Sequence, residues 1–316
     1  CASAKPVLEA ADIVIVEVND RLPKTYGIDE RRAMGIDATR IHISEVDYIV
    51  EGDHHPLVEI KSPEATPEER KMAGFILPEI HDGAVLQFGV GGLPNTLGEA
   101  LANSDLKDLG CHTELMTDAF LKMHKKGKLT NARKSIYQGR SIYWLCAGSK
   151  ELYEWVGHNP RMQTDMVSHI NDPFIISQNR DVVAINGCVN ADLYGQVGAE
   201  STGTRQISGT GGQVDFVEGA VLSVGGKSFL CMNSTKTDKS GKMHSNILPK
   251  FTAGEIITTP RAPVDYIVTE HGMARLTGTN TWQRAEMIIT IAHPDFQDDL
   301  LRAAEEQGIW RLSNKK

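Results

Sequence analysis

What the sequence lacks narrows it first. No apolar run approaches the ~20 residues that a membrane-spanning helix needs, so a membrane span is excluded. The residues after Cys1 carry neither the basic nor the apolar region of a secretory signal, and the start at Cys1 reads as a truncation point. A basic surplus is also missing: 33 Lys and Arg stand against 41 Asp and Glu, a formal charge of −8. That excludes a general nucleic-acid binder, although it leaves room for a local basic pocket holding an anion. The five cysteines (Cys1, Cys111, Cys146, Cys188, Cys231) include no Cys-x-x-Cys pair, so zinc and dithiol chemistry have no framework. They read as small buried hydrophobes in a reduced, cytoplasmic setting. There is no His-Glu-x-x-His metal motif and no Gly-x-Ser-x-Gly nucleophile elbow.

What is present exceeds one core: 316 residues lie above the ~250–300 at which single cores stop growing, so more than one domain is expected. From Val7 to Asn19, VLEAADIVIVEVN predicts a helical turn or two and then a strand buried on both faces. IHISEVDYIVEG, Ile41 to Gly52, predicts a strand pair or a strand with a turn. The charged, proline-bearing stretch Lys61 to Glu69 reads as a linker that ends in a helix start. Thr66 is its N-cap, Pro67 its first helical residue and Glu69 completes a capping box.

A second domain is expected from about residue 63, and it alternates AVLQFGV, TLGEALANS, TELMTDAFLKMHKKG, SIYWLCA, KELYEWVG and DVVAING as strands and helices. That pattern predicts an α/β domain with an open, largely parallel sheet. Past Gly195, GGQVDFVEGAVLSVGGKSFLCMNST and GEIITTP read as shorter strands with glycine turns, and TKTDKSGKMHSN as an exposed hairpin tip. TWQRAEMIITIAH and DDLLRAAEEQGIW close the chain as helices. The string VDYIV occurs at Val46 to Val50 and again at Val264 to Val268, which reads either as a chance match between two apolar strands or as two copies of one domain.

Four places can carry chemistry. Gly89, Val90, Gly91, Gly92, Leu93 and Pro94 follow a strand and precede a helix, where backbone N–H groups can meet an anion or a developing oxyanion. Pro94 in the sixth position removes the dinucleotide fingerprint, and no Gly-Lys-Ser/Thr follows as in a P-loop. A tight turn explains the glycines equally well. Gly209 to Gly212, and Gly225-Gly226 with Lys227, are further glycine clusters whose plain explanation is a hairpin turn, though Lys227 can meet a phosphate. Glu114 lies in GCHTELMTDAF between His112 and Asp118. Glu114 and Asp118 read either as two acids on a solvated helix face or, given the adjoining Leu115 and Met116, as a carboxylate against an apolar wall that can act as a nucleophile. Glu270-His271-Gly272 reads as a strand end with a turn.

Taken together, LQFGVGGLPNTLGEAL, GCHTELMTDAF, ADLYGQVGAE, ISGTGGQVDF, VTEHGMARL and TWQRAEMIITIAHPDF resemble the acetyl-CoA hydrolase/transferase family, most closely its butyryl-CoA:acetate and 4-hydroxybutyrate CoA-transferases. The resemblance covers essentially the whole chain, and family members carry a further N-terminal stretch. It implies two similar α/β domains of the CoA-transferase type, the first incomplete: residues 1–62 as the end of the first and 63–316 as the second, with the catalytic glutamate. It implies Glu114 as the catalytic residue, coenzyme A contacts from Gly89, Val90, Gly91, Gly92, Leu93, Gly211, Gly212 and Lys227, and no metal or permanently bound cofactor. Acyl-CoA and a short-chain carboxylate are the implied substrates and a homo-oligomer the implied assembly. Hydrolysis of acetyl-CoA by the same glutamate, or CoA binding without catalysis, are the alternative activities. Asn190 departs from the acid that many members carry before Asp-Leu-Tyr-Gly, a position given no catalytic role.

Overall fold

The computed structural model describes residues 4–309 except Ser62 and Val90. A short helix, α1 (Ala4–Ala10), leads to β1 (Ile15–Val18), β2 (Tyr26–Gly27), α2 (Asp29–Ala33) and β3 (Tyr48–Glu51). Helix α3 (Pro67–Ile76) then opens an alternating run: β4 (Val85–Phe88), α4 (Gly92–Asn103), β5 (Gly110–Met116), α5 (Asp118–Lys125), β6 (Ser141–Cys146), α6 (Lys150–Val156) and β7 (Met162–Thr164). Two short helices, α7 (Val167–Ile170) and α8 (Pro173–Ser177), precede β8 (Val182–Gly187) and the small strands β9 (Asn190–Asp192), β10 (Val197–Gly198), β11 (Ser201–Thr202) and β12 (Arg205–Gln206). Helix α9 (Gln213–Leu222) is followed by β13 (Lys227–Cys231), β14 (Thr235–Thr237), β15 (Met243–Ser245), β16 (Ile247–Leu248), β17 (Tyr266–Thr269) and β18 (Gly272–Arg275). Helices α10 (Thr281–Thr290) and α11 (Pro294–Glu306) come last.

Nine strands form one sheet in the order β18-β17-β13-β8-β4-β5-β6-β7-β2. All neighbours are parallel except the β17–β18 pair. Strands β4 and β8 are apolar apart from Gln87 and Asn186 because both of their faces are covered. Leu86, Phe88, Val183, Ile185 and Phe229 pack beneath α3 to α6 on one face. Val85, Val182 and Ala184 pack against Ile176, Phe216 and Ala220 of α8 and α9 on the other. From β4 the chain winds outward through β5, β6 and β7, then returns to set β8 on the opposite side of β4 and winds outward through β13 and β17. Strand order therefore reverses at β4. In open parallel sheets the crevice beyond the carboxyl ends of the strands at such a switch point is where ligands bind.

Several sequence expectations hold and three do not. Thr66 Oγ1 accepts from Glu69 N and Glu69 Oε2 accepts from Thr66 N, so the capping box at α3 is formed. The exposed loop is the β14–β15 hairpin. Strand β1 is not buried on both faces: it pairs only with β3, in a two-stranded sheet without a covering layer, and Ile15 is 64% and Ile49 55% exposed. The segment after Gly212 is the helix α9 rather than a strand, burying Gln213, Phe216, Val217 and Ala220 at helical spacing. GEIITTP forms no strand; Thr259 makes a single isolated bridge to Val197.

Candidate functional site

The switch-point crevice holds a cavity of about 290 Å³ lined by Gln87 and Gly89 of the β4 end, Glu114 and Leu115 of β5, Asn186 and Gly187 of β8, and the loop Ser208 to Gln213 that enters α9. Glu114 therefore stands on a strand, not on a solvated helix face. Asp118 is the first residue of α5 and is engaged elsewhere, accepting from Ser149 N at 3.0 Å.

Glu114 is held from two sides. Asn171, at the end of α7, donates Nδ2–H to Glu114 Oε2 at 2.8 Å. On the other side Gly212 comes so close that a Cβ there would overlap Glu114 Oε2 and crowd Asn171 Nδ2. With φ of −95°, Gly212 has a backbone any residue can adopt, so the glycine serves space and not conformation. Strand alternation puts His112 on the same face as Glu114. The His112 ring is buried and its Nε2–H donates to Ile170 O at 2.8 Å, which fixes the residue before Asn171. Burial, reinforced by the charge of Lys134, holds the His112 pKa down to about 3, so the ring is neutral. Its edge also meets Phe216 of α9, with centroids 6.3 Å apart. His112 thus touches both elements that reach Glu114.

A second carboxyl, Asp215 in the first turn of α9, is raised by burial. Its hydrogen bond from Asn171 opposes that rise, and the charge of Glu114 adds to it. The Asn171 amide accordingly lies between two acids. Beneath the cavity, Gln87 and Asn186 form a reciprocal amide pair: Gln87 Nε2 donates to Asn186 Oδ1 at 2.9 Å and Asn186 Nδ2 to Gln87 Oε1 at 3.0 Å.

The glycine segments fall on either side of this crevice. Gly89 lines the main cavity, as do Gly211 and Gly212. Gly91 and Leu93 line a neighbouring pocket of about 110 Å³ that shares Asn186 and Gly187 with the first. Gly91, at φ +134°, caps α4, and Gly92 is the first residue of that helix. The N–H of Leu93 is taken by Glu69 Oε1 at 3.1 Å, so an acid of the protein already sits at this helix start. Val90 lies outside the described residues. Lys227 is not brought to the site. It opens β13 at the amino end of the parallel strands, and its Nζ bonds Glu79 O at 3.0 Å and Glu79 Oε2 at 2.7 Å. Its register partner Val183 belongs to the core cluster beneath α3 to α6, the sheet face opposite Glu114.

Asn171, Asp215, Gln87 and Asn186 were not found from the sequence. Asn171 is 57 residues from Glu114, in a turn between two short helices, and carries no local signal of this role. Gln87 and Asn186 did leave a signal: each is a lone amide inside an apolar strand, VLQF and VVAING. Among the described residues no three His, Cys, Asp or Glu side chains assemble as a metal cluster, and no helix is long and apolar enough to cross a membrane.

Comparison with known proteins bears on this arrangement. Residues 148–304 match the acetyl-CoA hydrolase/transferase C-terminal domain. The chain is 49% identical over 310 residues to a butyryl-CoA:acetate CoA-transferase of Anaerostipes caccae, covering 98% of this chain and 68% of that protein. It is 41% identical over 297 residues to a 4-hydroxybutyrate coenzyme A transferase of Clostridium kluyveri, covering 94% and 66%. The crystal structure of RipA from Yersinia pestis superposes with a TM-score of 0.83 at 38% identity, over 97% of this chain and 65% of that one. The chain thus spans about two thirds of the length of these relatives. With similarity running along nearly all of its residues, the chain belongs to the acetyl-CoA hydrolase/transferase family.

Proposed function

We propose that the protein transfers coenzyme A between an acyl-CoA and a short-chain carboxylate, with butyryl- or 4-hydroxybutyryl-CoA and acetate as the substrate class, and that Glu114 carries the reaction. The observation that supports it most is a carboxylate fixed by Asn171 and Gly212 inside a cavity at the topological switch point. Relatives at 41–49% identity named as CoA-transferases support the same reaction class.

In this mechanism a Glu114 carboxylate oxygen attacks the thioester carbon and expels the CoA thiolate, leaving an acyl-glutamyl anhydride. The thiolate attacks the glutamyl carbonyl of that anhydride and expels the first acid as its carboxylate, leaving a glutamyl-CoA thioester. An incoming carboxylate then attacks the thioester, and the released thiolate takes the new acyl group, restoring Glu114. Each step exchanges one anion for another, so no net proton transfer is needed. The kinetics are ping-pong. Negative charge builds on a carbonyl oxygen in every addition, and the start of α9, whose first N–H groups have no intrahelical partner, lines the cavity in which it builds. Gly89, Gly91, Gly92, Leu93, Gly211 and Gly212 form the proposed CoA-facing wall, from which Lys227 is left out by its position. Residues 63–316 are the proposed catalytic domain, and residues 1–62 the end of a similar one. In support, both copies of VDYIV lie in strands paired in parallel, Tyr48 with Ile15 and Tyr266 with Phe229.

The test is to incubate the protein with butyryl-CoA, trap with borohydride or hydroxylamine, and map the modified peptide by mass spectrometry. The mass change is expected on Glu114, and Glu114→Ala should lose activity by several orders of magnitude. Glu114→Asp should lose about 10²-fold, because one missing methylene withdraws the nucleophile by roughly an ångström. Label on another residue, or full transfer by Glu114→Ala, would rule the mechanism out. Thiol release without an acceptor acid would instead identify the hydrolase.

A further inference from the structure

We propose that the Gln87–Asn186 amide pair is a binding element for the secondary amide in the thiol arm of CoA, the one next to the thioester, and that it selects CoA-type thioesters over plain ones. The inference rests on Glu114 as nucleophile and adds a second contact in the same cavity.

The pair is costly where it stands. Gln87 is 3% and Asn186 7% exposed, and their neighbours within the strands, Val85, Leu86, Phe88 and Val182 to Ile185, are apolar and buried. Adjacent strands β4 and β8 are already joined by their backbone ladder, so two apolar side chains would close the same space with no polar group to satisfy. The ring of two hydrogen bonds uses one N–H and one acceptor site of each amide, whereas a primary amide has two N–H donors and two acceptor lone pairs. The remaining capacity belongs to the cavity that both side chains line, and Asn186 lines the adjoining pocket as well.

The chemistry of the two cavities selects the ligand segment. Among the described residues no Lys, Arg or His lines either one, which favours an uncharged part of the molecule in this groove over its phosphates. A secondary amide offers one N–H and one C=O, the complement of what the pair leaves free. Position agrees. Carrying the β4–β5 and β4–β8 registers past their last paired residues sets Gly89 between Glu114 and Asn186 on one face of the sheet. Strands are about 4.8 Å apart, so Glu114 and Asn186 flank a glycine gap of two strand spacings, roughly 10 Å between backbones. A Cβ at Gly89 would press on Asn186 Oδ1 at 3.2 Å. In CoA thioesters the first amide nitrogen is two carbons from the sulfur. With the thioester carbon at the Glu114 carboxylate, that short spacer crosses Gly89 and sets the amide over Asn186.

The experiment compares two small thioesters as donors to acetate: S-butyryl-N-acetylcysteamine, and its analogue in which an ester oxygen replaces the amide N–H. Wild type is expected to favour the amide in kcat/KM by roughly 5–10-fold, the worth of one hydrogen bond. The variant Gln87→Met/Asn186→Leu, which removes both partners and leaves no orphan, is expected to use the two donors equally. Should that variant lose its fold, Gln87→Met alone carries the comparison, with the preference reduced. A wild type that turns over butyryl-CoA but shows no preference, or a folded variant that keeps it, overturns the role of the pair while leaving Glu114 in place. A wild type that turns over neither butyryl-CoA nor the small donors overturns the Glu114 assignment and this inference with it.

Discussion

At the scale of single residues the site is an exercise in close approach. Gly212 is the sharpest case, because the space for a Cβ is already filled by Glu114 Oε2. Gly212→Ala must move the carboxylate or push α9 back, and a displacement near 1 Å costs about 10²-fold in rate. The expected result is a kcat lowered by that order with thermal unfolding little changed; unchanged kcat would show that the carboxylate has room to spare. Asn171→Ala removes a hydrogen bond to a charged group, worth about 1.5–3 kcal/mol, and should slow acyl transfer by roughly 10–150-fold in steady-state assays. The motif singles out Glu114 for the proposed role, whereas no local pattern points to Asn171, since that contact is made by the fold and not by spacing. Lys227 shows the reverse error. Its glycine neighbours resemble a ligand loop, yet its ammonium is committed to Glu79 at the far end of the sheet.

At the scale of elements, strands and helices with two covered faces were readable and those whose turns imitate something else were not. β4, β6 and β8 announce themselves as apolar runs and the Thr66–Glu69 box marks the start of α3, whereas β5, GCHTELM, carries His, Thr and Glu and reads equally as a helix face. Helix α9 was hidden by glycines on both sides and by Gly219 within it. That glycine is accepted because Ile176 of α8 occupies the space where its Cβ would lie. The same close α8–α9 packing sets α9 against His112 and so couples element to site. A buried neutral histidine also makes this packing sensitive to acid. The native pKa of His112 is lowered to about 3, below its ordinary 6.5, so between those values the unfolded chain binds the proton and the folded one does not. The stability contributed by the neutral ring is therefore complete above pH 6.5 and is lost as pH falls toward 3, about 2 kcal/mol of it by pH 5. His112→Gln keeps a donor for Ile170 O and does not titrate. In urea unfolding at pH 7.5 and pH 5, wild type should lose about 2 kcal/mol more than this variant. Equal losses would remove His112 from the acid response.

At the scale of the whole molecule, the first sixty residues join the rest of the nine-stranded sheet through the edge strand β2, a small apolar cluster of Ile28 with Ile142 and Ile170, and polar contacts, and stay outside the two main cores. The largest apolar clusters contain no residue before Met72, while Ile15, Tyr48 and Ile49 are more than half exposed. What fastens the segment is α2 and β2 on the edge of β7. Arg31 Nε donates to the buried Asp165 Oδ2 at 2.7 Å, Arg140 pairs with Asp29 at 3.2 Å and with Glu30, and Gln163 Nε2 donates to Asp29 Oδ2 at 2.8 Å. Such a junction opens locally before the sheet unfolds, since only the small Ile28–Ile142–Ile170 cluster adds buried apolar contact to its polar ones. Asp165→Asn retains the shape of the side chain and removes the charge that holds Arg31, weakening a charge-assisted bond worth about 1.5–3 kcal/mol. Amide exchange within residues 26–33 is then expected to accelerate by roughly 10–150-fold, while β4, β5 and β8 keep wild-type protection. Acceleration of equal size in β4 and β8 would mean that the edge and the centre of the sheet unfold as one unit. In that case the contacts of α2 would bear on the stability of the Glu114 cavity itself.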